Sequence, residues 1–227
     1  MIELRAGRLR CELEPEAGGG VAGLWLEGTP LLQAQGARPL VPFSNRMAHA
    51  EVVWHGTQQP LVRHTGDAPQ AIHGLAWQRP WSVLDADETS AMLAFEHRPA
   101  AAWPFAFDCS HTVRLRPSGL ELALGFTNQS AQPAPAGLAW RIALPRWPGA
   151  RLPTEGALAD WSGTLRLDGG PVPLVLRSEL GHLGIVAEPD RLLLIPASHA
   201  AHATDTALLQ PGESLVAQLA IELEGLA

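Results

Sequence analysis

Two stretches place hydrogen-bonding side chains among rigid and aromatic residues. In residues 38–50, RPLVPFSNRMAHA, Pro39 and Pro42 stiffen the chain ahead of Ser44, Asn45 and Arg46. In residues 71–81, AIHGLAWQRPW, His73 precedes Gly74 and is followed by Trp77 and Trp81. An indole packs well on the apolar C–H face of a pyranose, and Asn, Arg and His supply the fixed donors and acceptors that a ring of hydroxyls needs. Taken alone, the same residues also suit a core tryptophan pair and a scaffolding histidine. A third stretch, AGLAWRIALPR at 136–146, sets one guanidinium, Arg141, in a run that is otherwise apolar up to Pro145. Burying an unpaired charge is costly, so Arg141 either reaches solvent or meets something polar or anionic.

The menu for proton transfer is short. All 16 basic residues are Arg, and the chain has neither Lys nor Tyr. That excludes Schiff-base chemistry, a phosphate-binding loop lysine and a tyrosine acid, leaving His, Asp, Glu and Cys. Cys11 and Cys109 match no metal-ligand spacing and are expected to be reduced thiols of a cytoplasmic protein, with no metal and no cofactor. A formal net charge of -7 argues against nucleic acid or an anionic membrane as partner. The N-terminal MIELRAGRLR lacks the apolar core of a signal peptide, and no window approaches the roughly 18 apolar residues of a membrane span.

The elements that must position these groups are strands. Twenty prolines and 22 glycines interrupt nearly every window in which an average helix could form. Leu9, Cys11 and Leu13 alternate with charged neighbours, as do Leu120, Leu122, Leu124 and Phe126 with Glu121, Ala123, Gly125 and Thr127. HTVRLR at 111–116 faces LELALGFT at 120–127 across Pro117-Ser118-Gly119, an antiparallel hairpin. LVAQLAIELE at 215–224 alternates again after Pro211-Gly212, whereas PAPAG at 133–137 and GGPVP at 169–173 read as loops. With no internal repeat or long linker, the expectation is one all-β domain over residues 1–227, burying roughly 70% of the surface of its unfolded chain.

In combination the motifs carry more than they do singly. PLVPFSNR, followed about 25 residues later by IHGLAWQRPW, then AWPFAF, the strand ending at Asn128, PAGLAW with its trailing LPR, IPASHA and LQPGES, run in the order found in the aldose 1-epimerase, or galactose mutarotase-like, family. The resemblance covers most of residues 38–146 and 191–214. It implies an antiparallel β-supersandwich with a sugar cleft on one concave sheet and a monosaccharide or sugar derivative as partner. By motif, Arg46 matches the family arginine that holds sugar hydroxyls and His73 the first histidine of the site; Asn45 and Trp77 follow as their neighbours.

The same resemblance exposes two departures. Mutarotation opens an aldose ring and recloses it on the other face, which requires an acid at the ring oxygen and a base at the anomeric hydroxyl. In the family the acid is a second histidine, and GLAWRIALPR puts Arg141 at that position and Ile142 at the proline that follows it. The base is a glutamate just before Pro-x-Ser-His, where RLLLIPASHA has Ile195. Arg141 donates hydrogen bonds but does not release a proton near neutral pH, and Ile195 can do neither. The interval between the two motifs is also short, and neither Asp160 nor Asp168 matches the family's sugar-binding aspartate. His199 and His202, with Glu188 and Asp205 nearby, are the residues that could substitute. Three functions remain open on the sequence: a sugar-binding member with impaired catalysis and Arg141 in the cleft, an active epimerase with relocated acid and base acting on a plain, acidic or phosphorylated sugar, and a structural β-domain for assembly. The sequence defines no oligomeric state.

Overall fold

Burial follows the sequence alternation residue by residue. Along Leu9–Glu14, Leu9, Cys11 and Leu13 are buried while Arg10, Glu12 and Glu14 are partly exposed, and along Gly119–Asn128 the even-numbered residues point inward. The structure, a computed structural model, describes residues 1–33, 35–47, 51–54, 57–60, 71–148, 156–158, 161–200 and 206–226. A nine-stranded sheet runs in the order Ile2–Ala6, Leu9–Glu14, Gly20–Leu26, Ala37–Leu40, Ala139–Pro145, Arg191–Ala197, His182–Ala187, Gly156–Leu158, with Thr29–Leu32 paired to Gly20–Leu26. A seven-stranded sheet runs Ser82–Ala86, Ser90–His97, Phe107–Arg116, Gly119–Asn128, Ser214–Leu223, Leu174–Ser178, Thr164–Leu167. Neighbouring strands in both sheets pair antiparallel. Among the described residues the helical content is two single turns, Pro15–Ala17 and Ala76–Gln78.

The hairpin closes where the turn residues sit. Arg116 pairs with Gly119, so Pro117 and Ser118 form the tip. Gly119 lies at φ 152, and a Cβ there would stand 2.1 Å from the Ile221 carbonyl, so the position requires glycine. Ser214–Leu223 is an interior strand, between Gly119–Asn128 and Leu174–Ser178. One loop expectation is corrected: within 133–137, Ala134–Ala136 forms a short strand against Ala207–Leu209. It is a two-stranded ribbon outside the main sheets, a setting where a proline's missing N–H is tolerated.

The two sheets face each other across one apolar core that includes Leu24, Trp140 and Leu194 from the larger sheet and Phe107, Leu122, Phe126 and Ile221 from the smaller. A histidine bridges them. His111 Nδ1–H donates to the Gly19 carbonyl at 2.8 Å, and Nε2 accepts the Trp140 indole N–H at 3.2 Å. Burial depresses its pKa to about 4. Cys11 and Cys109 are free thiols in the same core, Cys11 pushed up to about 12 by burial.

Strand alternation then determines what the opposite face of the larger sheet presents. Trp140, Ile142 and Leu144 enter the core, as do Leu192 and Leu194. Their neighbours Ala139, Ile195 and Ala197, with Leu40, form a separate apolar cluster on the other face, covered by Trp77. Arg38 and Arg141 belong to that second face by the same period of two.

Candidate functional site

Arg141 and Ile195 lie side by side. Ala139 pairs with Ala197 and Ile142 with Leu194, which leaves these two residues adjacent on neighbouring strands, and both line one cleft. On the other flank Arg141 is opposite Arg38. Gln33 and Gly36 are clamped onto the same strand, since Gln33 N–H donates to the Ala143 carbonyl at 3.0 Å and Ala143 N–H to the Gly36 carbonyl at 2.8 Å. That clamp carries Gln35 to the cleft, where its Oε1 accepts from Arg141 Nη2 at 2.8 Å.

The rim is built from two loops that lock onto each other. Leu75 N–H donates to the Val41 carbonyl at 2.9 Å, and a Cβ on Gly74 would sit 2.2 Å from that oxygen, so the close approach requires glycine. Asn45 and His73 then bond reciprocally: His73 N–H donates to the Asn45 carbonyl at 2.9 Å, and Asn45 N–H donates to His73 Nδ1 at 3.1 Å. Both residues have left-handed backbone, φ 57 and φ 61, as does Gln35 at φ 65. Three of the four non-glycine residues in that region, among the described residues, therefore line this one cleft. Each costs about 1 kcal/mol, somewhat less for Asn, and such strain gathers at functional sites. Arg46 is described through its backbone, paired with Ile72 next to His73.

The resulting cleft of about 410 Å³ is lined by Gln35, Asn45, Ile72, His73, Trp77, Arg141, Val186, Glu188, Leu193 and Ile195. Small-molecule sites span roughly 300–1,000 Å³. Trp77 meets His73 edge-on at 5.9 Å between ring centroids, and its carbonyl accepts Arg38 Nη1 at 2.9 Å. A larger groove of about 720 Å³ lies on the outer face of the smaller sheet. It brings together no histidine and no aromatic ring, and its Arg177 and Glu179 are engaged by Glu222 and the Gln218 amide. The smaller cleft is the candidate functional site on those grounds.

The charges there are uneven. Arg141 is 9% exposed. Burial lowers its pKa, Arg191 and Arg38 lower it further, and Glu188 opposes them. Arg38 is also lowered by burial, against the pull of Glu14 at 3.8 Å. Arg191 pairs with Glu188 across the turn that joins His182–Ala187 to Arg191–Ala197. Among the described residues Arg141 has no carboxylate within ion-pair distance; its hydrogen bond is to the neutral Gln35 amide.

Among the described residues, groups able to move a proton at the cleft are few. His73 accepts a backbone N–H at Nδ1, so the neutral ring carries its proton on Nε2 and is a donor there. Among the described lining residues Glu188 is the carboxylate, held by Arg191. His199 is 2% exposed and does not line the cleft: its Nε2 accepts the Ser44 N–H at 3.1 Å, its Nδ1–H donates to the Ala200 carbonyl at 2.9 Å, and the ring packs on Gly137. It anchors the loop that bears Asn45. His202, Asp160 and Asp205 lie outside the described residues.

Of the residues singled out in the sequence, the structure brings Asn45, His73, Trp77, Arg141 and Ile195 to one cleft and sends Trp81 into the core. Gln35 was not singled out. Its only signal is a polar residue before Gly36, and its place depends on a turn folding across a strand more than a hundred positions away.

An antiparallel two-sheet sandwich with a cleft on the outer face of its larger sheet is the galactose mutarotase-like architecture. The chain belongs to the aldose 1-epimerase family, whose profile matches residues 2–158. It is 28% identical over 163 residues to YphB of Escherichia coli (strain K12), a protein itself uncharacterized; the match covers 68% of this chain and about half, 55%, of that relative. The crystal structure of an aldose 1-epimerase candidate from Escherichia coli K12 superposes with a TM-score of 0.88 at 23% identity, over 98% of both chains. A galactose mutarotase-like protein from Clostridium acetobutylicum gives 0.80 at 14% identity, covering 98% of this chain and 94% of that one. One from Lactobacillus casei gives 0.80 at 12%, covering 99% and 100%. No helix among the described residues is long and apolar enough to cross a membrane.

Proposed function

We propose that this chain, as one galactose mutarotase-like domain over residues 1–227, binds a monosaccharide or sugar derivative between Trp77 and the floor of the Arg141 cleft and contributes little mutarotation chemistry. Trp77 offers an indole face, and His73, Asn45 and Gln35 supply polar groups at the rim, which suits a ring with one apolar face and several hydroxyls. The observation that carries the reading is the pair Arg141 and Ile195, adjacent where the family resemblance implies an acid and a base. Losing one such group typically costs 10²- to 10⁴-fold. A guanidinium and a sec-butyl group leave orientation as the contribution of the protein.

The test combines binding with polarimetry. Calorimetric titration with glucose and galactose should give saturable heat, while the decay of optical rotation of freshly dissolved α-glucose or α-galactose should run at nearly its uncatalysed rate. Arg141→His together with Ile195→Glu should accelerate that decay. Strong acceleration by the wild-type chain would sink the reading. A second reading is favoured by one observation, that Glu188 lines the cleft: an active epimerase using Glu188 in proton transfer. It requires that Glu188→Gln abolish a turnover which the wild type displays.

A further inference from the structure

We infer that the sugar this cleft selects is a carboxylate-bearing one, a uronic acid, with its carboxylate on Arg141; the inference rests on the carbohydrate reading above. Of the three guanidiniums described around the floor, Arg38 has Glu14 at 3.8 Å and Arg191 has Glu188, whereas Arg141 has a neutral amide. Among the described residues, counting Arg38, Arg141 and Arg191 against Glu14 and Glu188 leaves a surplus of one positive charge. The surplus is local, since the chain as a whole carries -7. It also sits on a residue 9% exposed and flanked by two like charges.

A desolvated cation without a counter-ion is costly to keep in a fold, and neutral hydroxyls offset little of that cost. A carboxylate offsets far more of it, because the planar guanidinium fork matches two carboxylate oxygens while Nη2 keeps its bond to Gln35. A single surplus charge fits a monoanion better than a phosphate dianion, which would be left half-compensated beside Glu188. The apolar floor of Leu193, Ile195 and Val186 confines the charged end of the ligand to Arg141.

The experiment titrates the full chain at physiological salt with glucuronate and galacturonate, with glucose and galactose, and with glucose 6-phosphate. Wild-type chain should bind a uronate about tenfold or more tightly than its neutral counterpart, the scale of one charge-assisted pair. Arg141→Gln should remove that gap, and Arg141→Lys, which keeps the charge but not the fork, should retain part of it. Circular dichroism and melting curves establish that both variants fold. Equal affinity for uronates and neutral sugars would overturn the inference, as would a gap that survives Arg141→Gln. Tighter binding of glucose 6-phosphate than of either uronate would overturn the carboxylate assignment. Absence of binding by any sugar, neutral or charged, would instead remove the carbohydrate reading itself.

Discussion

Replacing Arg141 by Met should make the ligand-free protein more stable. The perturbation keeps a side chain of similar length on the cleft floor and deletes the charge. Against it stands the loss of one hydrogen bond to Gln35, worth about 1 kcal/mol net, with the amide left beside an open cleft where water can replace the guanidinium. In its favour stands relief of a buried cation that has no carboxylate within ion-pair distance among the described residues and that two further arginines oppose. Uncompensated buried charges cost about 3–5 kcal/mol in fully closed sites, and a cleft that opens to water brings the relief down to about 2–3 kcal/mol. The net expectation is about 1–2 kcal/mol of stabilisation, or a Tm roughly 2–8 °C higher for a chain of this length. Differential scanning calorimetry of wild type, Arg141→Met and the control Arg177→Met measures it. Arg177 is an exposed residue paired with Glu222, so its loss should change stability by less than about 0.5 kcal/mol. A lower Tm for Arg141→Met than for wild type would refute the reasoning, because the guanidinium would then be a structural group rather than one retained for a ligand at the expense of the fold.

Two further outcomes follow from buried histidines. The pKa of His111 is about 4 in the fold and 6.5 when exposed, so between those values the unfolded chain binds the extra proton; its contribution is complete above pH 6.5 and is lost as the pH falls toward 4. Urea titrations should show the wild type losing about 2 kcal/mol more than His111→Gln between pH 7 and pH 5, and parallel losses would contradict it. His199→Ala should remove the acceptor of the Ser44 amide and open a void against Gly137, lowering stability by about 2–3 kcal/mol and speeding hydrogen exchange at Ser44. If it instead abolished mutarotation with Tm unchanged, His199 would be a proton carrier and not an anchor.

What could be read from the sequence was local. A period of two in Leu9–Glu14 and Gly119–Asn128 decides which side chains turn inward whatever the rest of the chain does, and Pro117, Ser118 and Gly119 specify a hairpin within a few bonds. The ordered motifs likewise pointed to the family, and with it to the replacement of an acid and a base by Arg141 and Ile195, because those identities are visible without coordinates. Tertiary structure decided which side chains share a space. Trp77 and Trp81 lie four residues apart in one motif, yet the first roofs the cleft and the second packs in the core beside His111, since the turn at Ala76–Gln78 rotates one outward and the other inward. His199 follows a family-like Pro-Ala-Ser and looks chemically able, but its two nitrogens are consumed by Ser44 and Ala200. Gln35 and the Glu188–Arg191 pair reach Arg141 only through long-range contacts between turns and strands. A sequence shows that a guanidinium is present; whether it has a counter-ion depends on distances between residues that the chain brings together only on folding.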